Sequence, residues 1–218
     1  MKTAMILAAG RGERLRPITD TQPKALCAVK NIPLIEYHIA SLAKAGFTRL
    51  IINHAHLGGM IRHQLGNGSR WNVEINYSPE PPGGLETGGG IVNALPLLGC
   101  EPFVTVNADI FTDYKFEMLK FPPQSLVHLV LINKPAYLSQ GDFNLSPSNQ
   151  LENINRLHTF AGIACYRPEL FQGKNPGRYS VVPLLRELSD RKQATGEIYH
   201  GKWIDIGSPE RLWMANSE

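Results

Sequence analysis

This chain has few cysteines, a small net charge and no long apolar run. It has 218 residues, 3 cysteines and a net charge of +3 at pH 7. Three widely separated cysteines suit neither a disulfide framework nor a zinc site, and so small a charge argues against a nucleic-acid-binding surface. The apolar run near the N-terminus stops at Gly10 and Arg11, so it is too short to span a membrane, and it lacks a signal-peptide cleavage pattern. We therefore expect a cytoplasmic protein that binds neither nucleic acid nor membranes.

Sequence repeats and two common phosphate-binding motifs are missing as well. The chain contains no hexapeptide repeats, so an added β-helical domain is not expected. Gly10 and Gly12 match the first two glycines of the dinucleotide-binding fingerprint, but Leu15 stands where the third is needed. No glycine is followed by Lys-Ser or Lys-Thr, as a P-loop requires. These gaps disfavour a dehydrogenase and a P-loop ATPase, and the length fits a single domain.

Apolar runs that alternate with helical patterns predict an α/β fold with a mainly parallel central sheet. The loop-rich stretch 135–149 is predicted to be an insertion over a sheet edge. Predicted strands cover residues 5–8, 50–53, 73–77, 103–107, 127–132 and 161–166, and predicted helices cover residues 34–45, 57–65, 89–97, 181–189 and 209–216.

A glycine-rich, basic segment follows the first predicted strand. It begins with the residues that we call the glycine bend (Leu7, Ala8, Ala9, Gly10, Arg11, Gly12 and Glu13) and continues through Arg14 and Arg16 to Lys24. Glycines allow backbone N–H groups to approach phosphate oxygens, while the arginines and the lysine supply positive charge. The alternative is a tight turn beside a solvated basic surface. The combination favours a polyphosphate-binding site.

Two aspartates follow or lie within short apolar segments. Asp109 comes after the predicted strand 103–107, and Asp205 stands between Ile204 and Ile206. Carboxylates and nucleotide phosphates are typical oxygen ligands of Mg²⁺, so the simplest interpretation is one magnesium ion held by Asp109 and Asp205. The alternatives are a capping or turn carboxylate at 109 and a surface loop residue at 205. Because ligands of open α/β sheets bind beyond the carboxyl ends of the strands, we expect the glycine bend, Asn53 and Asp109 to meet in one crevice.

The motif Leu-Ala-Ala-Gly-x-Gly-x-Arg-Leu-x-Pro that begins at Leu7, followed by Pro23 and Lys24, resembles the opening of the sugar-1-phosphate nucleotidyltransferases. The similarity continues through residues 107–109 to 203–210 and is strongest to the bacterial N-acetylmuramate-1-phosphate uridylyltransferases of cell-wall recycling. One departure is Ala108, where the family usually has glycine. The resemblance implies a three-layer αβα, Rossmann-like domain over residues 1–218, with a nucleotide-binding half of about 1–110 and a sugar-binding half of about 111–218.

The resemblance also implies an activity. A nucleoside monophosphate from a nucleoside triphosphate, here UTP, is expected to pass to a sugar 1-phosphate, here N-acetylmuramate 1-phosphate, with release of pyrophosphate. Lys24 would bridge the attacking phosphate and the α-phosphate, Arg16 and the glycine bend would stabilise the departing pyrophosphate, and Asp109 would act together with Mg²⁺.

Further binding residues follow from the same resemblance. The nucleotide is expected to contact the glycine bend, Lys24, Asn53, Glu86, Thr87 and Gly88, and the sugar phosphate to contact Asn107, Asp142, Glu152 and Gly162. Composition alone is equally compatible with a flexible linker over residues 85–87 and the glycines that flank them. Asp142 could instead begin a turn, and Glu152 could face solvent.

Two other functions stay open at this point. Mannose-1-phosphate guanylyltransferase is the second prediction, because the opening motif does not distinguish a pyrimidine from a purine. A catalytically silent nucleotide-binding regulatory protein is less favoured, since a pure binder does not require Lys24, Asp109 and Asp205 together. The sequence predicts a monomer or a weak homodimer and leaves the sugar undetermined.

Overall fold

A seven-stranded sheet forms the centre of the computed structural model, which describes residues 2–217. Within these residues the strands are β1 Thr3–Leu7, β2 Ala28–Val29, β3 Ile32–Pro33, β4 Arg49–His54, β5 Glu74–Pro79, β6 Phe103–Asn107, β7 Ile110–Thr112, β8 Val127–Asn133, β9 Asn144–Leu145, β10 Leu151–Glu152, β11 His158–Tyr166, β12 Ala194–Ile198 and β13 Trp203–Asp205. The α-helices are α1 Ile18–Thr21, α2 Leu34–Lys44, α3 Gly58–Leu65, α4 Glu86–Leu98, α5 Val182–Asp190 and α6 Pro209–Ser217.

The order of strands in the central sheet is β12-β8-β11-β6-β1-β4-β5. Every neighbouring pair is parallel except the two pairs that β11 makes, with β6 and with β8. The predicted α/β class and mainly parallel sheet are therefore confirmed. The carboxyl ends of β1, β4, β5 and β6 lie side by side at one edge of the sheet.

Helices cover both faces of the sheet, which produces three layers. Along β1 the side chains alternate, so that Ala4 and Ile6 join one buried apolar cluster and Met5 joins the other. The first cluster includes Ile35 of α2, and the second includes Ile91 of α4. The predicted αβα layering is thus confirmed, with the buried strands as the common wall of two cores.

Most of the longer strands and helices agree with the predicted ones to within about three residues, but the five-residue strand β12, the helix α1 and several shorter strands were not predicted. Strands of two or three residues, such as β7 and β13, are too short to show a hydrophobic period. The insertion at 135–149 does lie against a sheet edge, because Gln150 bridges to Thr195 of the edge strand β12 and Gly196 N donates to Asn149 O at 3.0 Å. Among the helices of residues 2–217, none has the length and apolarity needed to cross a bilayer.

One helix boundary bears on the site. Helix α4 begins at Glu86, three residues earlier than predicted, so residues 86–88 form its first turn and are not a free loop. Glu86 itself has a φ of +59°, which is uncommon for a residue with a side chain. The loop that precedes it, residues 83–85, therefore enters the helix through a sharp backbone turn.

Candidate active site

A chain of hydrogen bonds joins the carboxyl ends of three strands at the sheet edge. Asn53, at the end of β4, accepts a bond from Ala8 N at 2.8 Å and donates to Glu80 Oε1 at 2.6 Å. The other carboxylate oxygen of Glu80 accepts from Leu85 N at 2.7 Å. Asn53 is 2% exposed, so these bonds satisfy a buried amide. They connect the glycine bend to the loop before α4.

The glycine bend is folded around Thr19 and Lys24. Gly12 has a φ of +72°, and a Cβ there would lie 2.9 Å from Thr19 Cγ2 and 3.2 Å from Lys24 Cβ. Thr19 Oγ1 donates to Gly12 O at 2.8 Å, and the guanidinium of Arg11 donates to Thr19 O at 2.6 Å. Only glycine combines this backbone conformation with this closeness, so the motif has a direct steric basis.

A cavity of about 940 Å³ opens between the glycine bend and the loop before α4. We call it the first cavity. Its lining includes most of the predicted nucleotide-binding residues, namely Leu7, Ala9, Gly10, Arg11, Glu13, Asn53, Glu86 and Thr87, together with Gly83, Gly84 and Arg178. Ala8, Gly12, Lys24 and Gly88 are not part of this lining. Ala8 is bonded to Asn53, and Gly88 packs beneath the ring of Tyr179.

A second cavity, of about 920 Å³, lies on the other side of β6. Its wall carries arginines, carboxylates and aromatic rings, among them Arg14, Tyr137, Trp203, Asp205, Glu210 and Arg211, and it also includes the predicted residue Gly162. Asn107 and Asp109 line both cavities. The two cavities therefore meet at the end of β6.

Two ion pairs stand at this junction. The ammonium group of Lys24 binds a carboxylate oxygen of Asp109, and the side chain of Lys24 is only 12% exposed. Strand β13 pairs with β7 so that Asp205 lies opposite Ile110, the residue after Asp109, and Ile206 N donates to Asp109 O at 2.8 Å. Asp205 is paired in turn with Arg211 at 2.5 Å. The structure thus brings Asp205 and Asp109 to neighbouring strand ends, with a cation on each.

A buried histidine binds the backbone next to Asp109. His38 of α2 is 2% exposed, and its Nε2 lies 2.9 Å from Ile110 O. Burial lowers the pKa of His38 to about 4, so the imidazole is neutral near pH 7. A neutral imidazole here donates to the carbonyl without adding charge beside Asp109.

Three more predicted site residues, Arg16, Asp142 and Glu152, also line neither cavity. Arg16 lines neither one, is 56% exposed and pairs with Asp20 at 2.8 Å. Asp142 accepts a bond from Phe160 N at 2.9 Å, next to the register shift in β11, and Glu152 accepts one from Asn144 at 3.2 Å. The structure therefore gives Asp142 and Glu152 contacts within the fold, and their roles with the sugar stay predictions.

Several lining residues were not predicted. Arg178, Tyr137 and Arg211 stand in segments without a recognisable motif, and no feature of the sequence identifies them. The bonds of Glu80 to Asn53 and Leu85 were not predicted either, although Glu80 lies close to residues 85–87 in the sequence. Each of these side chains reaches the cavities through contacts between parts of the chain that are distant in sequence.

Comparisons with known proteins identify a family and relatives of this chain. The nucleotidyl transferase family matches residues 3–122. The chain is 46% identical to N-acetylmuramate alpha-1-phosphate uridylyltransferase of Neisseria meningitidis serogroup B, over 98% of this chain and 96% of that protein. It is 28% identical to the protein of the same name from Caulobacter vibrioides, over 99% of this chain and 96% of that one.

A solved structure shows the same fold. UDP-glucose pyrophosphorylase complexed with UDP-glucose superposes with a TM-score of 0.81 at 20% identity, over 100% of this chain and 97% of that one. The resemblance inferred from the opening motif is thereby confirmed: the chain belongs to the nucleotidyl transferase family.

Proposed function

We propose that this protein transfers the uridylyl group of UTP to N-acetylmuramate α-1-phosphate. A phosphate oxygen of the sugar phosphate attacks the α-phosphorus, the bond from that phosphorus to the bridging oxygen breaks, and pyrophosphate leaves. The observation that carries the proposal is the meeting of the two cavities at Asn107 and Asp109, beside Lys24. A nucleotide in one cavity and a sugar phosphate in the other would bring their phosphates together there. The substrates themselves are inferred from the relative that is 46% identical.

Lys24 is the residue best suited to the reacting phosphates. Both substrates are anionic, so their approach is opposed by repulsion, and the main catalytic task is neutralisation and alignment of charge. The side chain of Lys24 is 12% exposed, and its ammonium group binds Asp109, which lines both cavities, so its charge is only partly screened by water. The backbone of the glycine bend, with Arg11 behind it, would hold the departing pyrophosphate.

Asp109 and Asp205 are the two carboxylates that we propose as ligands of a magnesium ion. Within residues 2–217 no group of three or more histidine, cysteine and acidic side chains could hold a metal, so the protein would supply two carboxylates while phosphate and water oxygens complete the ligands. Lys24 and Arg211 balance these carboxylates in the structure. When bound, Mg²⁺ would offset the negative charge of the phosphates.

The proposal extends to the setting of the enzyme. The UDP-sugar product would serve the recycling of cell-wall sugars in the cytoplasm, where UTP is available. All three cysteines are free thiols, as expected in a reducing compartment. We propose a monomer or a weak homodimer that acts on small-molecule substrates.

A substrate matrix tests the proposal. Pyrophosphate release is measured with UTP or GTP against the 1-phosphates of N-acetylmuramate, N-acetylglucosamine and mannose, with Mg²⁺ present. We expect the highest kcat/KM for UTP with N-acetylmuramate α-1-phosphate. A preference for GTP with mannose 1-phosphate would instead identify a guanylyltransferase. Binding of nucleotide without any pyrophosphate release would identify a silent binding protein.

A further inference from the structure

A segment from the second half of the chain closes one side of the first cavity. Residues 177–179, which we call the strap, lie against the first turn of α4. Tyr179 N donates to Leu85 O at 3.1 Å, and Gly89 N donates to Tyr179 O at 3.2 Å. These two backbone bonds fix the strap to the loop that lines the cavity, although about 90 residues separate them in sequence.

The glycines at the start of α4 make room for the strap. A Cβ on Gly89 would lie 1.9 Å from Gly177 O, and a Cβ on Gly88 would lie 2.7 Å from the ring of Tyr179. Contacts this short exclude any side chain at these positions unless the backbone moves. The glycine run is therefore a packing surface, and the N–H of Gly89 is already bonded to the strap.

The strap places one charged side chain at the cavity. Arg178 lines the first cavity beside Glu86 and Thr87, and its Nε lies 3.3 Å from Glu86 Oε1. The two side chains are 64% and 46% exposed, and an ion pair as exposed as this contributes little to folding. Glu86 nevertheless keeps a strained φ of +59° in the turn that presents its side chain to Arg178. Strain that stability does not explain is common at ligand sites.

The charge of the cavity wall favours a ligand contact for Arg178. Four lining residues are acidic, namely Glu13, Glu80, Glu86 and Asp109, whereas Arg11 and Arg178 are the arginines of the wall. The guanidinium of Arg11 is turned to Thr19 O and to Asp20. Arg178 pairs instead with Glu86, a residue of the same wall, and its side chain is 64% exposed.

We propose that Arg178 is a nucleotide-binding residue that contacts the nucleoside part of the substrate, an inference that rests on the proposed function. Arg178 adjoins Glu86 and Thr87, on the same wall as the glycines Gly83 and Gly84, where the backbone can approach a planar base. A guanidinium can stack on such a base or donate to its carbonyl oxygens. The half of the chain that was predicted to bind the sugar would thus complete the nucleotide site.

The test compares Arg178→Ala with a matched variant, Arg191→Ala. Arg191 is also 64% exposed and also pairs with a glutamate, Glu187 at 2.6 Å, but it lines neither cavity. Affinities for UTP, UMP and inorganic pyrophosphate are measured by calorimetric titration with Mg²⁺ held constant. For Arg178→Ala we expect about 5- to 20-fold weaker binding of both UTP and UMP and unchanged binding of pyrophosphate. Arg191→Ala should bind all three ligands like the wild type.

Each other result has a defined meaning. Unchanged binding of UTP by Arg178→Ala would overturn the inference and leave the proposed function intact. An equal loss for pyrophosphate and UMP would overturn the assignment to the nucleoside. Arg178→Lys keeps the charge without the planar fork, so full recovery by this variant would show that charge alone acts and would also contradict the proposed contact. A wild-type chain that binds none of the three ligands would overturn the inference and the proposed function together.

Discussion

The hydrogen-bonded chain at the sheet edge leads to a prediction for Asn53→Asp. The new side chain has almost the same shape as asparagine, so the bond from Ala8 N is kept. The donor to Glu80 is replaced, however, by a carboxylate oxygen at a position only 2.6 Å from Glu80 Oε1. We expect the folded protein to be less stable near neutral pH, and the loop before α4 to be less firmly held.

The size of the effect follows from the burial of this pair. Two like charges 4 Å apart repel by about 4 kcal/mol at an effective dielectric constant of 20, and the native spacing is shorter. Uptake of one proton relieves the repulsion but costs about 1.4 kcal/mol for each pH unit above an ordinary pKa near 4, or about 4 kcal/mol at pH 7. We therefore expect a loss of about 3 to 4 kcal/mol at pH 7 and about 1 to 2 kcal/mol at pH 5.

The sign of the pH dependence is fixed by proton binding. Because the folded state would hold a proton that the unfolded state releases near pH 4, the pKa of the new carboxyl pair is raised on folding. Stability is then retained at low pH and lost as the pH rises through that raised value. The loss of stability relative to the wild type should therefore be smaller at low pH. Most paired carboxylates behave in the opposite way, because they stabilise a protein less as the pH falls.

Thermal unfolding at pH 5 and at pH 8 measures this effect against the wild type. A chain of this size should lose about 2 to 4 °C in Tm for each kcal/mol. Asn76→Asp is the control. Asn76 donates to Glu74 at 2.8 Å, and both residues belong to β5 and form an exposed bond. It should change stability by less than about 0.5 kcal/mol. The reasoning is refuted if the two variants behave alike, or if the loss for Asn53→Asp is no smaller at pH 5.

Three further predictions concern the site and its support. Lys24→Ala should lower kcat by about 100- to 1000-fold while changing UTP affinity less than about fivefold, and equal turnover would remove Lys24 from the chemistry. Gly89→Ala should destabilise the protein by about 1 to 3 kcal/mol, because its Cβ would lie 1.9 Å from Gly177 O. Gly59→Ala in α3, where a Cβ meets nothing within 4 Å, should stabilise it by about 0.5 to 1 kcal/mol, and a loss of similar size in both would contradict the steric argument. The pKa of His38 is lowered to about 4, so the free energy of unfolding should fall by about 3 kcal/mol as the pH drops from 6.5 to 4. His38→Gln should reduce this pH dependence, measured by urea unfolding. An unchanged pH dependence would show that His38 is not its source.

Local features of the sequence were enough to locate most of the first cavity. The apolar strands are identifiable because buried strands need continuous apolar side chains, and the residues that follow them must emerge at the same sheet edge. This reasoning is sufficient to assign Gly10, Asn53 and Asp109 to one crevice. Gly12 was identifiable because a tight turn around Thr19 and Lys24 requires a residue without a side chain.

The partner that each charged side chain finds in the fold could not be predicted from the sequence. Arg16 belongs to the same basic run as Arg11 and Arg14, yet it turns to Asp20 and lines neither cavity. Asp142 accepts a bond from the backbone N–H of Phe160, a contact that the sequence does not reveal. A charged side chain is satisfied by whichever partner the fold brings near, and composition does not reveal that partner.

What the sequence by itself determined is the family, the layered fold and the edge of the sheet where the chemistry lies, because each follows from short-range periodicity or a contiguous motif. Only the tertiary structure decided that two cavities meet at Asp109, that β13 brings Asp205 beside it, and that the strap carries Arg178 to the first cavity. These arrangements depend on pairing between segments many residues apart, and that pairing is selected by packing of the whole chain.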